Sequence, residues 1–247
     1  MRRLTSIATL LPCAALAALC LLAPAAARAG VVPGTAPEGL KPPGRPIRLS
    51  QGLDGHYTTT GHIALSVDGL GTLGTSGWVQ VRKPAGGTVR AAFLAAATTG
   101  FTNAVIPNGV LTLNGAPVDW ATTLTNTIGS RNYLADVTAL VAPTLNAAPA
   151  GLINVTVGEG ALSSKIDGSI LAVIFDDPAQ ATDRTVTLFF GALDVNGDAF
   201  NIGLAEPARP ADADYVLDLS LGISFGFQDP STRNQLSRVD VNGLRLT

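Results

Sequence analysis

The sequence predicts an all-β fold, an antiparallel β-sandwich or jelly roll. Short runs rich in Val, Ile, Leu, Thr and Phe recur along the chain, most of them bounded by Gly, Pro, Asn or Asp, at the spacing of about 8–15 residues that sandwiches show. Asn-Gly and Asp-Gly dipeptides separate many of these runs, and such pairs accept the positive φ values of tight hairpins. Because 47% of the residues are hydrophobic and only 14% are charged, the chain can fill a core.

The first 29 residues have the pattern of a secretory signal peptide. Two arginines precede an apolar stretch, and the segment ends in the small-residue pattern Ala27-Arg28-Ala29. Pro12 and Pro24 interrupt the apolar stretch, which is shorter than the run of about 20 residues that spans a bilayer. We expect residues 1–29 to be removed on export, leaving no membrane span. A retained anchor and a lipoprotein acylated at Cys20 are the alternatives.

Removal of this segment changes the chemistry open to the protein. Both cysteines, Cys13 and Cys20, leave with it, so the exported chain has no disulfide and no cysteine nucleophile. Three arginines leave as well, which takes the formal charge from -2 to -5. This acidic balance excludes a nucleic-acid binder built on a basic stripe. We expect a secreted or extracytoplasmic protein, in the periplasm or at the cell surface.

The remaining chain divides into a linker and one folded region. Residues 30–50 contain five prolines, which favour extended backbone and disfavour helix or central strand. We therefore predict a Pro-rich leader or linker at 30–50 and a β-sandwich domain at 51–247. The length fits a single sandwich or two closely packed halves.

The strand predictions follow from composition and periodicity. Residues 79–82 alternate between apolar and polar, which is typical of a strand with one face in solvent. Residues 170–175 are continuously apolar, which predicts a strand that is buried on both faces. Residues 135–141 lack Gly and Pro and precede Pro143, so they predict one short helix or helical turn. The predicted strands are 63–67, 77–81, 89–96, 110–113, 152–157, 169–175, 185–190, 199–204, 215–219, 223–227 and 236–241.

One acidic cluster predicts a calcium site. Asp194, Asn196 and Asp198 place side-chain oxygens at alternate positions around a glycine, as in half of a calcium loop. The later glutamate of a full loop is missing, and a hairpin turn explains the same residues. Asp176 and Asp177 end the most apolar strand and supply further oxygens if they lie nearby. The alternative for this pair is a charged turn before a proline.

The sequence carries no recognised catalytic signature. It has no G-x-S-x-G elbow, no H-E-x-x-H pair and no phosphate-binding loop. The even spacing of His56 and His62 would place both on one face of an unbroken strand, with Asp54 or Asp68 as a third metal ligand, whereas Gly61 and the threonine run equally predict a flexible loop. The alternative, which the nonspecific spacing favours, is two surface histidines.

Two tryptophans are candidates for ligand contact. Trp120 follows an aspartate in a segment that is predicted to be a loop, so we expect its side chain to be more exposed than that of Trp78. Trp78 lies in an alternating strand, and we expect a core role for it at least as readily.

Two series of segments carry a resemblance to other proteins. The first consists of 89–94, 111–115 and 135–138, and the second of 168–178 and 184–191. Together they resemble a loosely defined group of exported bacterial β-sandwich modules, which occur in surface, adhesin-like and PEP-CTERM-type proteins. The resemblance implies an extracytoplasmic all-β domain and supplies no catalytic residues to carry over.

These observations give an expected function and two alternatives. We expect an exported, non-enzymatic β-sandwich with a structural, adhesive or matrix role at the cell surface. A calcium-assisted carbohydrate-binding module is the first alternative, and a secreted hydrolase is the less favoured second. Proteins of the resembling group usually continue past the hairpin at 239–247, so this chain is either a shortened member or is completed by another subunit. The expected partners are a surface polymer, a carbohydrate or another protein that pairs by a strand. No cofactor is expected beyond calcium in the first alternative.

Overall fold

The computed structural model describes residues 16–24, 29–32, 51–71, 74–193, 199, 201–204, 215–222, 239–241 and 244–245. Over these residues the chain is mostly antiparallel β-sheet, with one α-helix and one 3-10 turn, which confirms the predicted all-β fold. In chain order the elements are β1 (Leu16–Pro24), β2 (Ala29–Val32), β3 (Gln51–Gly61), β4 (Ile63–Leu70), β5 (Ser76–Lys83), β6 (Thr88–Thr98), β7 (Thr112–Leu113), β8 (Ala116–Pro117), β9 (Thr122–Thr125), β10 (Arg131–Asp136), α1 (Thr138–Ala147), β11 (Gly151–Gly158), the 3-10 turn (Gly160–Leu162), β12 (Ile166–Asp176), β13 (Arg184–Ala192), β14 (Asn201–Leu204), β15 (Asp218–Gly222), β16 (Asp240–Val241) and β17 (Leu244–Arg245).

A five-stranded sheet forms the middle layer of the molecule. Its strand order is β4-β12-β6-β10-β9, and all its neighbouring strands pair antiparallel. Two of its three inner strands, β6 and β12, are buried along nearly their whole length. This confirms the prediction that the continuously apolar run 170–175 lies between two layers.

Each face of this middle sheet carries its own hydrophobic core. Side chains alternate across a strand, so Leu94 of β6 and Val173 of β12 point to one face, whereas Phe93 and Ala172 point to the other. On the first face, β5, β11 and α1 cover a core that includes Val79, Leu94, Val141, Val155 and Val173, which we call the β5-side core. On the second face, β13 and β3 cover a core that includes Phe93, Ala172, Val186 and Leu188, which we call the β13-side core. The result is a layered sandwich with two cores.

A second sheet, with the order β15-β1-β13-β3, covers the β13-side core. Its strand β1 belongs to the segment that the sequence marks as a signal peptide. Strand β1 pairs antiparallel with β13 over nine positions and with β15 over five. The leader segment thus fills the gap between two strands of the folded region.

The helix is longer than predicted and lies further along the chain. The prediction placed it at 135–141 and ended it before Pro143, but α1 contains Pro143, and the first residues of the predicted segment belong to β10. Tertiary packing offsets the hydrogen bond that the proline removes, because Val141 and Leu145 are buried in the β5-side core. Lys83 also donates to two carbonyl oxygens at the helix C-terminus, at 2.7 and 2.8 Å.

The Asn-Gly and Asp-Gly pairs behave differently. Asn114 and Gly115 have φ of 49° and 82° and connect β7 to β8, which confirms a two-residue hairpin with positive φ at both positions. The Asp-Gly pairs at 54–55, 68–69 and 167–168 do not form turns, since they lie inside β3, β4 and β12. Pairing of these strands with a neighbouring strand overrides the local turn preference of the Asp-Gly pairs.

Candidate functional site

The most exposed aromatic side chain in the described sheets lies on the outer face of β5 and β11. These strands alternate between buried and exposed residues, as the pattern at 79–82 predicts. Trp78 is 62% exposed and Leu152 is 55% exposed. The outward side chains form three cross-strand pairs, which we call the Trp78 face: Trp78–Thr156, Gln80–Asn154 and Arg82–Leu152.

The backbone beneath the Trp78 face is fixed along its outer edge. The N–H of Gln80 donates to the carboxylate of Asp68 at 2.7 Å, and the N–H of Arg82 donates to the Ser66 hydroxyl at 2.9 Å. Both acceptors project from β4, so side-chain oxygens complete part of the hydrogen bonding of an edge strand. On the face itself, the Gln80 amide donates to Asn154 at 3.4 Å. The face therefore presents an aromatic ring, amides and a guanidinium on two hydrogen-bonded strands.

Trp120 is placed contrary to expectation. It is partly buried and packs against the β5-side core, with its ring centroid 5.2 Å from that of Tyr133. Its indole nitrogen is buried and has no hydrogen-bond partner within the residues that the structure describes. The expectation that Trp120 is the more exposed tryptophan is wrong, because its segment folds back onto β10. The exposed platform is Trp78.

Asp176 and Asp177 border an open notch of about 450 Å³. Asp176 accepts a hydrogen bond from Arg90 Nε at 2.7 Å, and the same guanidinium donates to the Thr59 hydroxyl and the Thr60 carbonyl oxygen at 3.0 and 2.9 Å. Arg90 therefore fastens β6 to β3 and β12. The residues that line the notch are Gly61, His62, Gly86, Thr88, Arg90, Asp176, Asp177 and Pro178.

Asp177 organises the turn that follows β12. Its carboxylate accepts the N–H of Ala179 at 3.0 Å, and its own N–H donates to the carbonyl oxygen of His62 at 2.8 Å. His62 donates from Nδ1 to the Gln180 carbonyl oxygen at 2.6 Å, and its Nε2 lies 3.4 Å from Asp183. These contacts correspond to the alternative interpretation of the acidic pair, a charged turn before a proline.

The predicted calcium loop lies outside the described part of the chain, because Asp194, Asn196 and Asp198 are not among the described residues. Within the described residues no group of three or more His, Cys, Asp or Glu side chains lies close enough to hold a metal ion. The carboxylates of Asp176 and Asp177 instead accept hydrogen bonds from Arg90 and from the backbone N–H of Ala179.

The two histidines, His56 and His62, lie in different surroundings. The ring of His56 packs edge-on against Phe93, with centroids 5.8 Å apart, whereas His62 lies in the turn beside Asp183. Burial lowers the pKa of His56, and the negative charge of Asp136 partly opposes that change. Asp68, considered as a third ligand, is engaged by the backbone of β5. The structure therefore does not bring together a metal pair at these positions.

Sequence reasoning did not single out one buried acid, Glu159. It follows β11, its side chain is fully buried, and neither carboxylate oxygen has a hydrogen-bond partner among the described residues. The backbone N–H groups of Glu159 and Gly160 both donate to the Thr75 carbonyl oxygen, which fixes this position. Burial, with a smaller contribution from the charge of Asp167, raises the pKa of Glu159 from 4.5 to about 7.

The fold and these sites define a layered all-β protein with an exposed aromatic face and an isolated buried acid. No family model, curated protein or solved structure matches the chain. The resemblance to exported bacterial β-sandwich modules therefore stays a prediction. None of the helices in the described residues has the length and apolar character needed to cross a membrane.

Proposed function

We propose that this chain is an exported, non-enzymatic β-sandwich with a structural or adhesive role at the cell surface. The signal-peptide pattern of residues 1–29 and the resemblance to exported modules support export. The single observation that carries the adhesive role is the Trp78 face, where a 62% exposed tryptophan projects from an antiparallel pair of strands. A large aromatic ring with a polar edge is favoured at contact surfaces, since it buries much area and loses little conformational entropy.

The test compares variants that remove exposed aromatic rings of similar exposure. Trp78→Ala removes the ring from the proposed contact face, and Phe101→Ala removes a 58% exposed ring from a loop outside it. Both proteins are produced with the native leader, and the fraction retained on washed cells is measured by immunodetection. We expect Trp78→Ala to reduce retention at least about tenfold, the effect of losing about 1.4 kcal/mol of contact energy. Equal retention of both variants and wild type would contradict an adhesive role for this face.

A second candidate function is carbohydrate binding, because the amides of Gln80 and Asn154 lie beside Trp78 on the same face. An aromatic ring can stack on the apolar side of a sugar, while neighbouring amides bond to its hydroxyl groups. In this candidate function Trp78, rather than Trp120 as the sequence suggested, is the aromatic residue that contacts the ligand. The calcium-assisted form additionally requires the segment with Asp194, Asn196 and Asp198.

Affinity electrophoresis in gels that contain soluble polysaccharides tests the second candidate. Wild type is expected to be retarded by at least one polysaccharide, and Trp78→Ala is expected to migrate freely. Repeating the gels with a chelator separates the calcium-assisted form from a calcium-independent one. Retardation that is the same in wild type and Trp78→Ala would exclude the Trp78 face as the sugar site.

A further inference from the structure

Strand β1 lies between β13 and β15, in a position that we call the slot, and removal of the leader on export would leave this slot without a strand. Its segment, Leu16–Pro24, contains no charged residue and lies between β13 and β15. It pairs with all nine residues of β13. Cleavage after Ala29 removes this strand and leaves the pairing edge of β13 open over its whole length. An unpaired edge of this length is a template for another strand.

We propose that in the exported protein this slot is a docking site for an apolar strand supplied by a partner protein. The inference rests on the export and leader removal of the proposed function. The chemistry of the partner strand follows from the segment that occupies the slot: about nine residues, uncharged, extended and antiparallel to both neighbours. Binding of this kind adds a strand to a sheet, with affinity from the backbone ladder and the apolar side chains.

Closure of the slot by the chain's own β15 fits the geometry poorly. Strands β13 and β15 are both antiparallel to β1, so they run parallel to each other. A shift of β15 onto β13 would give a parallel pair, which is slightly less stable per residue than an antiparallel one. Strand β15 also has five residues against the nine of β13. Four positions of the edge would remain open.

The N-terminal tail of a second copy fits the slot no better. After cleavage that tail consists of residues 30–50 with its five prolines. Each proline lacks the N–H that a central strand must donate, so this tail is a poor donor of a strand with neighbours on both sides. Direct pairing of two β13 edges would require β15 to leave its place. A strand from a different protein meets none of these obstacles.

The experiment uses the processed protein from the exported fraction and a synthetic strand as probe. Intact mass first establishes that residues 1–29 are absent. The probe is a peptide of residues 16–24 with lysines added at both ends for solubility. The control peptide carries Leu19→Pro and Leu21→Pro, which removes two ladder donors. At about ten times its Kd the probe is expected to raise Tm by about 3–5 °C, and the control peptide is expected to leave Tm unchanged.

A cross-link reports the register. In the structure Cys20 of β1 lies opposite Ser220 of β15, whereas Asp218 lies opposite Leu22. The processed chain has no cysteine of its own, because both lie within residues 1–29. We expect the probe to form a disulfide with the Ser220→Cys variant and not with Asp218→Cys, since facing strand positions suit disulfide geometry.

Several outcomes would overturn the proposal. One is a processed protein whose Tm does not change when the probe is added and whose Ser220→Cys variant forms no cross-link with the probe. Another is a concentration-dependent dimer in which Ser220→Cys links to itself, which would assign the slot to a second copy. Retention of residues 16–24 in the exported protein would show that the slot is already filled. None of these results depends on Trp78, so failure here is distinguishable from failure of the adhesive role.

Discussion

The buried acid Glu159 gives a prediction that can be worked out quantitatively. Its side chain is removed from solvent and both carboxylate oxygens lack partners in the described part of the chain, so ionisation is opposed in the folded state. The substitution Glu159→Gln keeps the size and the polar character of the side chain but cannot ionise. Because glutamine and protonated glutamic acid leave similar hydrogen-bonding groups unpaired, the comparison isolates the cost of the charge.

The sign and size of the effect follow from the raised pKa. Below 4.5, the ordinary pKa value, Glu159 is protonated in both the folded and the unfolded state, so its ionisation does not change the free energy of unfolding. As pH rises from 4.5 to about 7, the unfolded state ionises first, so the free energy of unfolding falls. Above about 7 the loss is complete, at about 3 kcal/mol, because one pKa unit is equivalent to about 1.4 kcal/mol.

Urea unfolding followed by tryptophan fluorescence measures this difference. We expect Glu159→Gln to match wild type at about pH 4 and to be more stable by about 3 kcal/mol at about pH 8, with unchanged m-values. The exposed carboxylate Asp119 provides the control, and Asp119→Asn is expected to shift stability by less than about 0.5 kcal/mol at either pH.

Two results would refute the reasoning. If Glu159→Gln follows the same pH profile as wild type, the buried carboxyl does not carry the pH dependence. If it is less stable than wild type at about pH 8, the ionised form has a stabilising partner. Asp167→Asn adds a further check, because removing the secondary cause should recover only a part of the loss.

Three further predictions concern the face, the hairpin and the notch. Trp120→Ala should lower the free energy of unfolding by about 2 kcal/mol, whereas Trp78→Ala should change it by less than about 0.5 kcal/mol; equal losses in thermal unfolding would contradict the assignment of the exposed platform. Gly115→Ala should cost about 1 kcal/mol through its positive φ alone, since no atom lies within 4 Å of an added Cβ. A urea midpoint unchanged by this substitution would mean that the hairpin adopts another turn. Arg90→Gln should cost about 1 kcal/mol at low salt and less at high salt, because its ion pair is partly exposed. A loss that does not vary with salt would show that the neutral hydrogen bonds carry the whole contribution.

Much of the fold could be predicted because its signals are local. The predicted strands 89–96, 169–175 and 185–190 each lie within a strand of the structure, since short segments dominated by apolar residues and bounded by turn-forming residues are typical of buried strands. The Asn-Gly hairpin at 114–115 was predictable for the same reason, because its φ values are set by the two residues themselves.

The failures arise where partners distant in sequence decide the outcome. The Asp-Gly pairs favour turns locally, but Asp68 lies within a paired strand and its carboxylate binds the backbone of β5. The predicted end of the helix before Pro143 likewise gave way to the packing of Val141 and Leu145 on the core. Neither contact can be read from the residues around it, since both depend on the arrangement of layers.

The two tryptophans and Glu159 mark different limits of sequence reasoning. The alternation at 79–82 places Gln80 and Arg82 on the polar face, and the same period of two places Trp78 with them. Applied one residue further, the pattern would have identified the exposed ring. Glu159 had no such signal: a carboxyl after a strand usually lies in solvent, and only the surrounding layers bury it. The Trp78 face was therefore within reach of periodicity, whereas the buried acid could be found only in the folded structure.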